Sequence, residues 1–253
     1  MTAENGGWGR QRYEIKYLVR HDALAGIRAR IMQYMIPDPH MDGNDGCYFN
    51  HSVYFDNPRL RFYLEKHEGM LERSKPRLRA YRPSASAPPI AYFLELKNRA
   101  DRLVSKDRTP VSRALAASIL AAPSPESGDA FASDRVLSKF YMLSKRFALR
   151  PQAAVLYRRR AYVSALFPNL RITLDSGLQA SWSASLDSAP SAFRYALPPN
   201  LMVLEIKYDR VLPKAVLRDI EALGLRQATF SKYAVCVEAN AEARFNRLRA
   251  YLD

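Results

Sequence analysis

Lys75-Pro-Arg-Leu-Arg79 places a basic side chain at every second position, with Pro76 and Leu78 between them. A β-strand sends alternate side chains to opposite faces, so this segment has one cationic face and one apolar face. The same alternation recurs in Arg12-Tyr-Glu-Ile-Lys16, Glu95-Leu-Lys97, Arg171-Ile-Thr-Leu-Asp175 and Glu205-Ile-Lys207. An ordinary half-buried strand carries one or two charges on its wet side, whereas these carry Lys, Arg and Glu repeatedly. Charge this dense calls for a ligand of opposite sign.

The composition agrees. The chain has 253 residues, 39 Lys and Arg against 25 Asp and Glu, a formal charge of +14 and a pI near 9.9. Such an excess implies a polyanionic partner: nucleic acid, an anionic membrane or a phosphate compound. Apolar content of 48% is enough to bury a substantial core. The two cysteines, Cys47 and Cys236, have no His or Cys neighbours at metal-ligand spacing, so they read as reduced thiols rather than a disulfide or zinc site. Residues 1–10 read as a disordered Gly-rich lead with no signal-peptide pattern, and no later segment is long and apolar enough to span a bilayer. A soluble cytoplasmic protein with a single domain over residues 11–253 is expected.

Along the chain, strands are expected at 11–19, 47–55, 60–67, 71–82, 90–98, 152–165, 169–175 and 202–208, with a short strand around 178–182 before an exposed loop that reaches 196. The prolines and serines of 83–89 make 71–98 an antiparallel hairpin. Helices are expected from Ala23 to Met35, from a Thr109 cap through Leu120, from Ser133 or Asp134 to about Phe147, from Pro213 to Gly224 and from Glu238 to Leu252. An open sheet turns the charged faces to solvent, while a closed antiparallel barrel turns them inward. A lumen crowded with like charges is self-repelling, at about 4 kcal/mol per contact for ~4 Å and an effective dielectric near 20. Such a lumen is stable only when filled, and the interleaved Glu14, Glu95 and Glu205 offset part of the cost. Each of those carboxylates can also ligate a hard divalent cation.

Taken in order, the motifs resemble the vacuolar transporter chaperone (VTC) domain, the polyphosphate polymerase branch of the triphosphate tunnel metalloenzymes. The matching pieces are Arg12-Tyr-Glu-Ile-Lys-Tyr17, Val53-Tyr-Phe-Asp56, Glu65-Lys66 with Gly69, Arg77-Leu-Arg-Ala-Tyr81, Glu95-Leu-Lys97, Lys106-Asp-Arg108, Tyr157-Arg-Arg159, Arg171-Ile-Thr-Leu-Asp175, Leu204-Glu-Ile-Lys207 and Phe230-Ser-Lys-Tyr233. The resemblance implies an α+β fold, a closed antiparallel eight-stranded β-barrel with surrounding helices, whose basic lumen grips a triphosphate. It implies catalytic charge stabilisation by Lys16, Arg77, Arg79, Lys97, Arg159 and Lys232, and phosphate binding by Lys66, Lys106, Arg108, Arg171, Lys207 and Ser231. Glu205 is implied as the metal ligand for Mn²⁺ or Mg²⁺, with Glu14 and Glu95 as further carboxylates. Lys16, Arg77, Arg79, Lys97 and Glu205 also lie on the charged faces read from alternation, whereas Lys66, Lys106 and Lys232 are placed by the resemblance alone. One departure is Thr229, where polymerase members usually carry a lysine.

The expected activity is transfer of the γ-phosphoryl of ATP to phosphate or a growing polyphosphate chain. With water as acceptor the same site gives a tripolyphosphatase or nucleoside triphosphatase, and without chemistry a polyphosphate-binding module. A membrane-bound partner is compatible with a chain that has no span of its own, and the residues leave the oligomeric state open. The glutamates repel a nucleic-acid backbone, and Tyr48, Phe49, Tyr54 and Phe55 read as core rather than as base-stacking platforms. His21, His40, His51 and His67 lack a nucleophile partner and read as structural or surface residues. Lys139, Lys145, Arg146 and Arg150, and the C-terminal Arg244, Arg247 and Arg249, read as solvated faces.

Overall fold

A computed structural model describes residues 12–41, 46–101, 103–123, 134–182, 185–186 and 192–249, with side chains described to residue 241. The expected lead over 1–10 lies outside these residues. The elements, in chain order, are β1 (Arg12–Arg20), α1 (Leu24–Arg30), β2 (Met35–Pro37), β3 (Tyr48–Asp56), α2 (Arg61–His67), β4 (Glu72–Arg82), β5 (Ala91–Ala100), β6 (Leu103–Val111), α3 (Arg113–Ala121), α4 (Arg135–Phe147), β7 (Arg150–Ser164), β8 (Arg171–Ser181), β9 (Arg194–Tyr195), β10 (Leu201–Tyr208), α5 (Lys214–Ala222) and α6 (Lys232–Arg249).

Every strand pairing is antiparallel, and the order β7-β3-β4-β5-β6-β1-β10-β8 returns to β7 through a β7–β8 ladder. Eight strands therefore close on themselves, and the short β2 and β9 add to β7 and β8 outside the ring. The seam between β1 and β6 is brief: only Arg12 with Val104 and Tyr13 with Leu103. Beyond it the segment before α6 covers the β1 edge, with the Ala228 N–H donating to the Lys16 carbonyl at 2.8 Å.

Two apolar clusters fix which face is outside. Val53, Phe55, Leu78, Ala80, Leu94 and Leu96 pack against Ala116 and Ile119 of α3 and Leu137 and Phe140 of α4. On the opposite wall, Tyr17, Val19, Ile172, Leu174, Leu204 and Ile206 pack against Ile27 of α1 and Val216 and Ile220 of α5. By alternation the charged residues between them face the lumen. A third cluster closes part of the lumen itself: Val155, Tyr157, Leu178 and Ala180 meet Tyr233, Cys236 and Val237 of α6. Gly177, at φ 61°, sits where the β7–β8 register shifts, and this bulge turns Leu178 to the same side as Asp175.

Several local expectations are corrected. Residues 61–67 form α2 rather than a strand, because the buried Asp56 carboxylate accepts the N–H groups of Asn57, Phe62 and Tyr63 and caps the turn. Helix α1 stops at Arg30 rather than Met35, and after a 3₁₀ turn Met35–Pro37 pairs with β7. Thr109 and Pro110 lie inside β6, an unforeseen strand; Pro110 is tolerated where β6 has no partner on its other edge, and Ser112 caps α3 instead. The strands expected at 169–175 and 178–182 are one strand, joined through the Gly177 bulge. Helix α6 begins at Lys232, six residues before the expected start, because its first turns are buried and so lack a polar stripe for periodicity to reveal.

Candidate functional site

Register places the charged side chains. Arg77 pairs with Glu95 and Lys75 with Lys97 across β4 and β5, Lys97 with Lys106 and Glu95 with Arg108 across β5 and β6. On the other wall Glu14 pairs with Lys207, Lys16 with Glu205, Glu205 with Thr173 and Asp175 with Arg159. All of these are on the inner face. The lumen thus gathers Lys16, Lys75, Arg77, Arg79, Lys97, Lys106, Arg159, Lys207 and Lys232 around Glu14, Glu95, Asp175 and Glu205, a clear excess of positive charge.

The lumen ion pairs form two connected networks. Glu95 is held by Arg77 (Nε–Oε2 2.7 Å), Lys106 (3.2 Å) and Arg79 (3.6 Å). Asp175 takes Arg159 in a bidentate fork (2.6 and 2.7 Å) and Lys232 (2.5 Å), and Lys232 continues to Glu205 (2.6 Å). Glu205 also meets Lys207 (2.8 Å), Arg159 (3.6 Å) and Lys16 (3.9 Å), and Lys16 leads to Glu14 (3.3 Å) and on to Lys97 (2.7 Å). Tyr54 Oη accepts from Arg77 at 2.8 Å and Tyr157 lies under Arg159 and Lys232, so aromatic rings back the cations.

Burial and neighbours set the protonation states. Burial disfavours ionised Glu95, Asp175 and Glu205, but the surrounding basic groups outweigh it and hold all three below the usual carboxylate range. Glu14 is lowered in the same way by Lys16 and Lys97. Burial also acts on Lys97 and Lys106, and there their carboxylate partners only partly compensate, leaving both at about 8. Lys232 goes the other way, because Asp175 and Glu205 overcome its burial and raise it.

The remaining expected residues lie towards the rims. Arg108 is exposed and stacks on Phe93, 4.7 Å from the ring centroid. Arg171 is tied to Asp38 at 2.9 Å. Lys66, on α2, adds the smallest contribution to the lowering of Lys75, which burial and then Lys16, Lys97 and Arg73 dominate. Ser231 accepts a hydrogen bond from Lys75 at 2.7 Å, and Thr229 is exposed. Tyr48 and Tyr54, expected as core, are on the lumen side of β3, whereas Phe55 is in the outer core against Phe140. His51 is buried and kept neutral at about 3 by burial and Arg82; His21 and His40 are exposed, and His67 pairs with Glu238. Both cysteines are buried and free.

Sequence reasoning left Asp175 without a role, although it alternates with Arg171 and Thr173 on one face. It also missed Asn50 and Thr173, which are fully buried, face the lumen by register and have side-chain atoms with no hydrogen-bond partner among the described residues. Such orphaned groups suit a polar ligand. Their uncharged side chains carried no signal in a pattern read from charge.

The carboxylates can be tested against a divalent ion. Glu14 Oε1 is buried without a hydrogen bond, and Glu205 stands on the neighbouring strand, so two hard oxygen donors converge where a phosphate chain would supply the rest. Glu95 is engaged by two guanidinium groups and an ammonium, and Glu205 by the Lys232 and Lys207 ammonium groups, so a cation on Glu205 would have to displace one of them. Among the described residues no three His, Cys, Asp or Glu side chains form a metal cage.

A family model describing the VTC domain matches residues 11–240. No curated protein sequence matches this one. Among solved structures, the chain is similar to a Hippeastrum protein described as a candidate adenylyl cyclase with a dominant triphosphatase activity, at 14% identity over 90% of this chain and 95% of that one, with a TM-score of 0.54. A candidate adenylate cyclase from Bacillus halodurans shares 14% identity over 89% of this chain and 96% of that one, with a TM-score of 0.49. The Hippeastrum likeness is one of fold.

Proposed function

The chain belongs to the VTC domain family, and on the chemistry of its lumen we propose that it is a polyphosphate polymerase that transfers the γ-phosphoryl of ATP to phosphate or to a growing chain. The carrying observation is the closed lumen with its surplus of basic side chains. Arg77, Arg79 and Lys97 on one wall and Lys16, Arg159, Lys207 and Lys232 on the other present fixed positive charge to a polyanion, and phosphoryl transfer depends mainly on positioning and charge stabilisation.

In this reading a terminal phosphate oxygen of the acceptor attacks the γ-phosphorus. The bond from that phosphorus to the β,γ-bridging oxygen breaks, ADP departs with the oxygen, and the chain grows by one phosphate. The acceptor is already anionic and needs no general base. That suits a lumen whose four carboxylates are all ion-paired and held below the normal range, and it favours a phosphate acceptor over water. Glu205 and Glu14 would hold Mg²⁺ or Mn²⁺, which when bound supplies charge neutralisation at the phosphate oxygens. Glu95 orients Arg77 and Arg79 instead. Among the described residues no helix is long and apolar enough to cross a membrane, and buried reduced thiols suit a cytoplasmic setting.

The test is to incubate the protein with ATP and Mn²⁺ and follow products by ³¹P NMR, with Lys97→Ala in parallel. Internal-phosphate signals appearing with ADP are expected; free phosphate alone would make the protein a triphosphatase. Glu205→Gln should remove the metal dependence of triphosphate binding and turnover together. Metal-dependent binding left unchanged in calorimetry would overturn that ligand assignment.

A further inference from the structure

In the middle of the lumen each basic side chain has a carboxylate partner, and at one end that pairing stops. Where β4 begins and β5 finishes, two like-charged pairs lie directly opposite each other in succession, Arg73 with Arg99 and Lys75 with Lys97. Directly opposed like charges destabilise a sheet. Lys97 is relieved by Glu14 at 2.7 Å. The other three have no carboxylate partner in an ion pair among the described residues: Lys75 donates to Ser231 Oγ at 2.7 Å, Arg99 donates to the Asp101 carbonyl at 2.6 Å, and Arg73 Nε is buried without a hydrogen-bond partner. Burial, followed by Lys16 of β1, Lys97 of β5, Arg73 of β4 and Lys66 of α2, pushes the Lys75 ammonium well below its ordinary range. The Glu65 carboxylate offsets part of the charge on Arg73 but is itself paired with Arg61 at 3.1 Å, so the cations at this place outnumber their counter-ions, an arrangement that suits an anion.

We propose that Arg73, Lys75 and Arg99 form a second anion subsite, continuous with the central lumen, that holds the far end of a linear phosphate chain longer than a triphosphate. The identity of the ligand rests on the phosphoryl-transfer reading, while the subsite rests on the opposed cations and the orphaned guanidinium nitrogen. Lys75 reaches the lumen beside Lys97, so a chain gripped centrally by Arg77, Arg79 and Lys97 meets Lys75 and Arg73 next along β4. The subsite thus reads chain length: short polyphosphates occupy the centre and longer ones gain extra contacts.

Titration calorimetry of the full chain with tripolyphosphate and with long-chain polyphosphate tests this, using wild type, Lys75→Met, Arg73→Gln and Lys75→Arg. The wild type should bind the long chain more tightly than tripolyphosphate. Lys75→Met and Arg73→Gln should each lose about tenfold of long-chain affinity, the scale of one charge-assisted hydrogen bond, with tripolyphosphate affinity changed less than about twofold. Lys75→Arg keeps the charge and should keep the long-chain advantage. Melting curves without ligand separate damage from function: each charge-removing variant should melt no lower than wild type, because it relieves repulsion. Equal losses for both ligands, no loss for either, or a wild type that does not discriminate chain length would overturn the subsite. A wild type that binds neither ligand would sink the phosphoryl-transfer reading itself.

Discussion

Leu78 pairs with Leu94 on the outside of the barrel, and one step away Arg77 pairs with Glu95 on the inside. Burial is nearly the same on both sides: Leu78, Leu94 and Glu95 are 0% exposed and Arg77 is 9%. The outer pair gains free energy by leaving water and touching α3 and α4, whereas the inner pair recovers in ion pairing roughly what desolvation costs. One pair of strands therefore carries an apolar core on one face and the charged lumen on the other, and mutation should separate what the two contribute.

The largest expected separation comes from Arg79→Ala. Arg79 stands 3.6 Å from Glu95, which keeps Arg77 and Lys106, so its removal strands no buried carboxylate. Turnover should fall by about a hundred- to a thousandfold, as when a preorganised charge donor is lost, while the melting temperature stays close to wild type. Leu94→Ala is the mirror experiment: a loss of about 2–5 kcal/mol in denaturant unfolding, with turnover retained well below the new melting point. If Arg79→Ala unfolded the protein, or Leu94→Ala abolished catalysis while folded, the two faces would not be independent.

A smaller and more discriminating effect comes from pH. Lys97 and Lys106 carry folded values of about 8 against an ordinary value of 10.5, because burial outweighs their partners. Both lose their protons as pH rises through about 8, so affinity for triphosphate should decline above that point. Stability should move the other way. Between about 8 and 10.5 the unfolded chain binds more protons at these two positions than the folded one, so their contribution to unfolding free energy rises with pH. Opposed slopes in calorimetric affinity and denaturant stability over that window are expected, and Lys97→Met should flatten part of both.

The two faces also differ in how much of them the sequence discloses. Period-two alternation marked Arg77, Arg79, Glu95, Lys97 and Glu205 as sharing a face, because side-chain direction in a strand is a local property. Whether that face looks into a lumen depends on the β7–β8 and β1–β6 pairings, which join residues far apart in sequence and leave no local trace. Lys232, and Ser231 just before it, arrive at the start of a helix whose buried first turn has no amphipathic stripe, so only family resemblance could place them. Asn50 and Thr173, being uncharged, were invisible to a reading based on charge. Residues 61–67 misled as a strand because the capping Asp56 acts from outside the segment.

The smallest effect marks the boundary between the faces. Lys139 of α4 pairs with Asp107 of β6 at 2.6 Å, and Asp107 alternates with Lys106 and Arg108, which puts it on the outer side of the strand. The sequence read this lysine as part of a solvated face, and its partner ties it to the outside of the barrel. With side chains 40% and 18% exposed, the pair stays well hydrated and should contribute about 0–1 kcal/mol. Lys139→Ala should therefore change unfolding free energy by less than about 1 kcal/mol and leave triphosphate affinity unaltered, although it removes the same formal charge as Lys97→Met. A clear loss of affinity in Lys139→Ala would mean that net charge attracts the ligand; no loss there beside a large one in Lys97→Met would mean that position within the closed lumen decides binding.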